Sequence, residues 1–120
     1  MNNNENLIAG AYKAFNDRNI EAVLPLMHPD VQWPNGWEGG YVHGRNAVRE
    51  YWQRQWKEVN PVVIPVKFHN NDEGQTEVTV RQTVKDLAGN LLSDGDVLHI
   101  YTVNNNLIER MEIVSTPAHT

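Results

Sequence analysis

The stretch Arg45–Phe68, RNAVREYWQRQWKEVNPVVIPVKF, changes its hydrophobic period halfway along. In its first part Val48, Trp52, Trp56 and Val59 recur at helical spacing, flanked by Ala47 and Tyr51, while Arg49, Glu50, Gln53, Arg54 and Lys57 face water. This predicts an amphipathic helix over about residues 45 to 59. In its second part Val62, Ile64, Val66 and Phe68 alternate, as one face of a strand does. Pro61 and Pro65 place that strand at a sheet edge or give it an irregular start. Everything before this switch reads mostly as helix, and everything after it as strand.

Upstream, Leu7, Ile8, Ala11, Tyr12 and Phe15 mark a helix over about residues 5 to 17. Asn19 is placed to cap a second helix whose stripe is Ile20, Val23, Leu24 and Met27, ended by His28-Pro29-Asp30. Val31-Gln32-Trp33 is a short strand, and residues 34 to 44 form a glycine-rich loop carrying Trp37, Glu38 and Tyr41. Downstream, Val78, Val80, Gln82 and Val84 share one strand face, and Thr79, Arg81, Thr83 and Lys85 the other. Turns fall at residues 70–74 and 86–90. A strand begins at Leu91, is broken at Asp94-Gly95 and resumes through Val103. A turn at Asn104–Asn106 leads to a last strand over about 107–115. The pattern predicts a single α+β domain over residues 1–120, a curved and mostly antiparallel sheet with helices packed on one face.

Composition excludes several classes of function. Lys plus Arg is 10 and Asp plus Glu is 15, a formal net charge of −5, which argues against a nucleic-acid module. Absence of cysteine excludes disulfides, thiolate zinc sites and a cysteine nucleophile. No run approaches the roughly eighteen apolar residues of a membrane span, and no signal-peptide pattern opens the chain, so a cytoplasmic location is expected. No P-loop, dinucleotide fingerprint, nucleophile elbow or metal-ligand spacing occurs, and no cofactor or metal is expected. The unusual feature is aromatic: six of the ten aromatic residues lie between Trp33 and Trp56, including all four tryptophans.

The order of elements resembles the nuclear transport factor 2-like superfamily, which includes steroid isomerases and SnoaL-like polyketide cyclases. The resemblance rests on the segments Ala11–Asn19, Leu26–Val31 and Gly44–Trp52, and on Tyr101-Thr102-Val103, and it spans nearly the whole chain. It implies a cone-shaped sheet around a pocket closed by three N-terminal helices. On that fold Trp33, Trp52, Trp56, Gln82, His99, Tyr101 and Met111 are candidate ligand contacts, and Trp37 a lid or interface residue. Strand alternation agrees, because Val97, His99, Tyr101 and Val103 share one face.

A steroid isomerase needs a carboxylate base and an oxyanion-binding acid or phenol. The resemblance puts Trp33 at the base position, Ala11 or Tyr12 at the tyrosine position, and His99 or Leu98 at the acid position. Tryptophan cannot abstract a proton, so this activity is not expected. The two aspartates and arginine of limonene epoxide hydrolase, in the same superfamily, match poorly, since Arg81 shares a face with outward positions. Cyclase or dehydratase chemistry by histidine and carboxylate leaves His99 and Tyr101 as the candidate catalytic pair, with Glu38 or Glu112 as the carboxylate. For His99 itself three roles stay open: interior residue satisfied by a tyrosine or carbonyl, acid–base group, or ligand hydrogen bond. The expected partner is a small apolar organic ligand, with a homodimer formed through the open sheet face around Thr79, Arg81, Thr83 and Thr102. A non-catalytic binding or dimerisation domain is the alternative.

Overall fold

The computed structural model describes residues 3–35 and 39–115. Helix α1 (Asn3–Asn16) buries Ile8, Ala11, Tyr12 and Ala14. It ends in a reciprocal pair of bonds: Asn19 N–H donates to Ala14 O and Arg18 N–H to Phe15 O. That closure needs a left-handed residue, usually glycine, yet here it is Arg18 at φ 61°. Its guanidinium offsets the backbone cost. It donates to the carbonyls of Phe15 and Pro61 and lies over the Phe15 and Trp56 rings.

Helix α2 (Ile20–Val23) is capped by the Asn19 side chain, which accepts from Ala22 N–H at 3.2 Å. It is shorter than its apolar stripe predicts. Pro25 carries no N–H to continue the ladder, so the chain tightens into a 3₁₀ turn (Leu24–Leu26) and leaves at Met27 as strand β1 (Met27–Pro34). His28-Pro29-Asp30 therefore lies in a strand, not at a helix end. It occupies the place where the pairing of β1 shifts register, which tolerates a proline.

The predicted loop over residues 34–44 also contains a strand, β2 (Tyr41–His43), folded back on β1 with Trp33 opposite Val42. Gly44 then turns the chain at φ 88°, donating its N–H to Val31 O, and opens helix α3 (Arg45–Glu58). A side chain at Gly44 would meet the Pro29 carbonyl at 3.4 Å as well as the unfavourable φ.

Four long strands follow: β3 (Val59–Asn70), β4 (Thr76–Asp86), β5 (Leu91–Asn104) and β6 (Leu107–Ser115). The sheet order is β2-β1-β6-β5-β4-β3, antiparallel except where β1 meets β6. With three helices and this curved, open sheet, the fold is α+β. The core lies between α1, α3 and the inner sheet face, where Val31, Val78, Val80, Tyr101, Ile108 and Met111 meet Ile8, Val48 and Trp52.

Two strand expectations change. The alternating run of β3 does not form one buried face: Ile64 is 49% and Val66 63% exposed, whereas Pro61 and Val63 are buried. A bulge between Pro65 and Lys67 then reverses parity, so that Phe68 packs inward. Strand β5 is not broken at Asp94-Gly95. Gly95 stays extended opposite Gln82, and the Asp94 carboxylate is held across the outer face by Arg81 (2.9 and 2.6 Å) and the Thr83 hydroxyl (3.0 Å).

Candidate functional site

The inner face of the sheet and the helices enclose a cavity of about 90 Å³. That volume holds a few waters or a small organic group. Strand β1 supplies Trp33 and Pro34, α3 supplies Tyr51, Trp52 and Gln55, and β4 supplies Gln82. Tyr12 and Phe15 descend from α1, while His99, Tyr101 and Met111 rise from β5 and β6. Tyr12, His99, Tyr101 and Met111 are buried and form the floor. Pro34, Gln55, Gln82 and Ile113 are more exposed and lie toward the mouth. No Asp, Glu, Lys or Arg lines the cavity among the described residues.

The floor is polar at one place. Tyr12 Oη and His99 Nδ1 are 2.7 Å apart, with the two rings nearly parallel at a centroid distance of 5.9 Å. Tyr101 meets Tyr12 edge-on, with the ring centroids 6.0 Å apart. The other imidazole nitrogen, His99 Nε2, is buried and has no hydrogen-bond partner among the described residues. Burial pushes the imidazole down to about 4 from its ordinary 6.5, because loss of water penalises the charged form. Burial likewise raises both phenols: Tyr12 well above its ordinary value with a further push from Tyr101, and Tyr101 with a smaller opposing effect from the neighbouring Tyr12. At neutral pH the floor is thus one neutral imidazole and two protonated phenols.

The walls are aromatic. Trp33 stands edge-on to Trp52 at 5.5 Å and tilts against Tyr101 at 6.3 Å. Phe15 meets Trp52 at 5.0 Å and Trp56 at 5.3 Å. Of the residues expected at the pocket, Trp33, Trp52, Gln82, His99, Tyr101 and Met111 all line it. Trp56 does not: it stacks behind Trp52 at 6.0 Å, beneath Arg18, with its indole N–H buried and unpartnered. Trp37 and Glu38 lie outside the described residues.

Glu112 is away from the cavity, 3.6 Å from Arg110 on the outer sheet face, and Arg81 and Asp96 are also outside, 3.7 Å apart. Arg81 lies between Asp94 and Asp96 on that outer face, so among the described residues the epoxide-hydrolase arrangement is not assembled in the cavity. Tyr12 is the floor residue that periodicity did not single out. Its place in the apolar stripe of α1 marks it as core, and only contact with β5 distinguishes it from Ile8. Among the described residues no group of three His, Asp or Glu is placed to hold a metal, and no helix is long and apolar enough to cross a membrane.

Known proteins share this architecture. TerC, crystallised with polyporic acid, is 26% identical, with 98% of this chain and 95% of that one covered at a TM-score of 0.83. An NTF2-like protein of unknown function from Burkholderia pseudomallei is 23% identical over 99% and 95% of the two chains, TM-score 0.83. A Mycobacterium tuberculosis protein in complex with estradiol-17beta-hemisuccinate has the same fold at 16% identity over 98% and 97%, TM-score 0.83. No curated protein matches the sequence significantly. The SnoaL-like domain family matches residues 8–111, from the first buried turn of α1 to the Met111 wall of the cavity. The chain belongs to that family of SnoaL-like domains, within the nuclear transport factor 2-like superfamily.

Proposed function

We propose that this protein binds a small, mostly apolar organic molecule in the cavity, with an oxygen of the ligand at His99 Nε2. The observation that carries this reading is the unpartnered, buried Nε2 on the floor of a cavity walled by tryptophan. A buried polar atom left unpaired costs about 1–3 kcal/mol, and a ligand oxygen removes that cost. The arrangement of few polar groups within aromatic walls is typical of small-molecule sites. TerC with polyporic acid, at 26% identity, supports the same reading.

If a reaction accompanies binding, its class is isomerase, cyclase or dehydratase, acting on a small carbonyl compound. His99 and Tyr101 are its catalytic residues. An imidazole kept neutral and a phenol kept protonated suit donation to a carbonyl oxygen as charge develops there. They do not suit removal of a weakly acidic carbon-bound proton, and no described lining residue is a carboxylate. Steroid isomerisation therefore stays outside this proposal.

Titration of the four tryptophans' fluorescence with a panel of small aromatic ketones tests it. Saturable quenching is expected in the wild type, with affinity lowered about tenfold in His99→Ala by loss of one hydrogen bond. A panel that leaves the signal unchanged, with His99→Ala altering stability alone, defeats both the binding and the enzymatic reading.

A second reading concerns assembly. The outer sheet face carries Leu98, Ile100 and Val114 side by side, the last 43% exposed, beside Thr79, Thr102 and Arg81. An apolar strip on the outer sheet face favours a homodimer formed there.

A further inference from the structure

The orientation of the proton chain on the cavity floor decides what kind of ligand atom the site accepts. Tyr12 and His99 share one hydrogen bond, to which the hydroxyl and the neutral imidazole each bring one proton. Two arrangements are available. In one, the Tyr12 hydroxyl donates to Nδ1 and the imidazole proton sits on Nε2. In the other, Nδ1–H donates to the Tyr12 oxygen and Nε2 is a bare lone pair.

The first leaves a single buried group without a partner, the Nε2–H. The second leaves two, the Nε2 lone pair and the Tyr12 hydroxyl proton, whose one partner among the described residues, Nδ1, is then itself the donor. Each buried unpaired polar group is costly, so the first arrangement is preferred. The strand neighbours of His99 are Val78 and Ile113, which offer nothing to Nε2 and no charge that would favour an imidazolium.

We infer that Tyr12 is a positioning residue: it fixes His99 as the Nε2–H tautomer, so that the cavity floor presents a hydrogen-bond donor and selects uncharged ligands bearing an acceptor oxygen of carbonyl type. The selection of ligands rests on the binding reading proposed above, whereas the tautomer does not. Oxygen atoms that only accept are matched by this floor. A cation meets no anionic group on the described walls.

Nitrogen-15 spectra of the imidazole in the ligand-free protein test the tautomer directly. The wild type is expected to show predominantly Nε2–H. Tyr12→Phe is expected to convert it to a mixture, and Tyr101→Phe, which leaves Tyr12 free to donate, to retain Nε2–H. A wild-type spectrum dominated by Nδ1–H, or one that Tyr12→Phe leaves unchanged, overturns the inference, and the wild-type spectrum decides even if a variant fails to fold. Acetophenone and ethylbenzene, nearly equal in shape and differing in the oxygen, then test selection. Acetophenone is expected to bind about tenfold tighter, with the preference reduced in Tyr12→Phe. Equal binding overturns the selection. Failure of both probes, with Nε2–H intact, sinks the binding reading instead and supports the tautomer assignment.

Discussion

His99 enters the folded protein without its proton, and this leaves a mark on stability. Its folded value of about 4 lies below the ordinary 6.5, so between those pH values the unfolded chain binds a proton that the native state refuses. Stability from this residue is therefore complete above about pH 6.5 and declines as pH falls toward 4. The full difference is about 3 kcal/mol, from roughly 1.4 kcal/mol per pH unit. Urea unfolding followed from pH 7 to pH 4.5 is expected to show a steeper loss for the wild type than for His99→Phe. Parallel curves would mean that the imidazole titrates normally. Trp33 carries the opposite lesson at the same scale. The resemblance, matched through Asp30 to Pro34, implies that it is a pocket residue, and it does line the cavity, with its ring against Trp52 and Tyr101.

Strand β3 shows how an element at the edge of a sheet is kept from pairing with another chain. Pro61, Val63 and Pro65 stand opposite Val84, Gln82 and Val80, and their backbone groups point away from β4. Two of the three have no N–H to offer. The third, Val63, is closed by Asn16 from the end of α1: the side-chain amide donates to Val63 O at 2.7 Å and accepts from Val63 N–H at 3.0 Å. The Pro61 carbonyl is taken by Arg18 at 2.7 Å. One asparagine thus acts as a short strand of its own and ties helix to sheet. Asn16→Ala is expected to lower unfolding free energy by about 1–3 kcal/mol, read by chemical denaturation, and to increase aggregation on heating. An unchanged midpoint would show that water replaces the side chain at no cost.

Over the whole molecule, the two faces of the sheet divide the work. The inner face is committed to the core and cavity, so a partner is left with the outer face, where Leu98 lies between Thr79 and Val114. Sedimentation at micromolar concentration is expected to give twice the chain mass of 13.7 kDa. Leu98→Glu is expected to give the monomer, with ligand-induced fluorescence changes retained because the substitution points away from Trp33 and His99. A wild type that sediments as a monomer defeats the dimer reading and leaves the cavity proposal standing on its own test.

Helix and strand types and the shared face of Val97, His99, Tyr101 and Val103 follow from sequence alone, because 3.6-residue and two-residue periods arise from local backbone geometry, whereas the prolines of β3 left an edge or an irregular start both open. The candidate wall from Trp33 to Met111 follows from those periods once the resemblance supplies the cone. What sequence could not settle depends on register and contact between distant segments. Ile64 and Val66 are exposed because Pro61 and Val63 take the inner face, and the bulge after Pro65 then turns Phe68 inward, although the alternation is regular. Pro25 shortened α2 because a ladder bond was lost, which an apolar stripe does not reveal. Asp94-Gly95 stayed in the strand because Arg81, thirteen residues earlier, holds the aspartate. The union of Tyr12 with His99 spans 87 residues. Only packing of α1 onto the inner sheet face brings the phenol to the imidazole, with Nε2 buried and without a partner among the described residues.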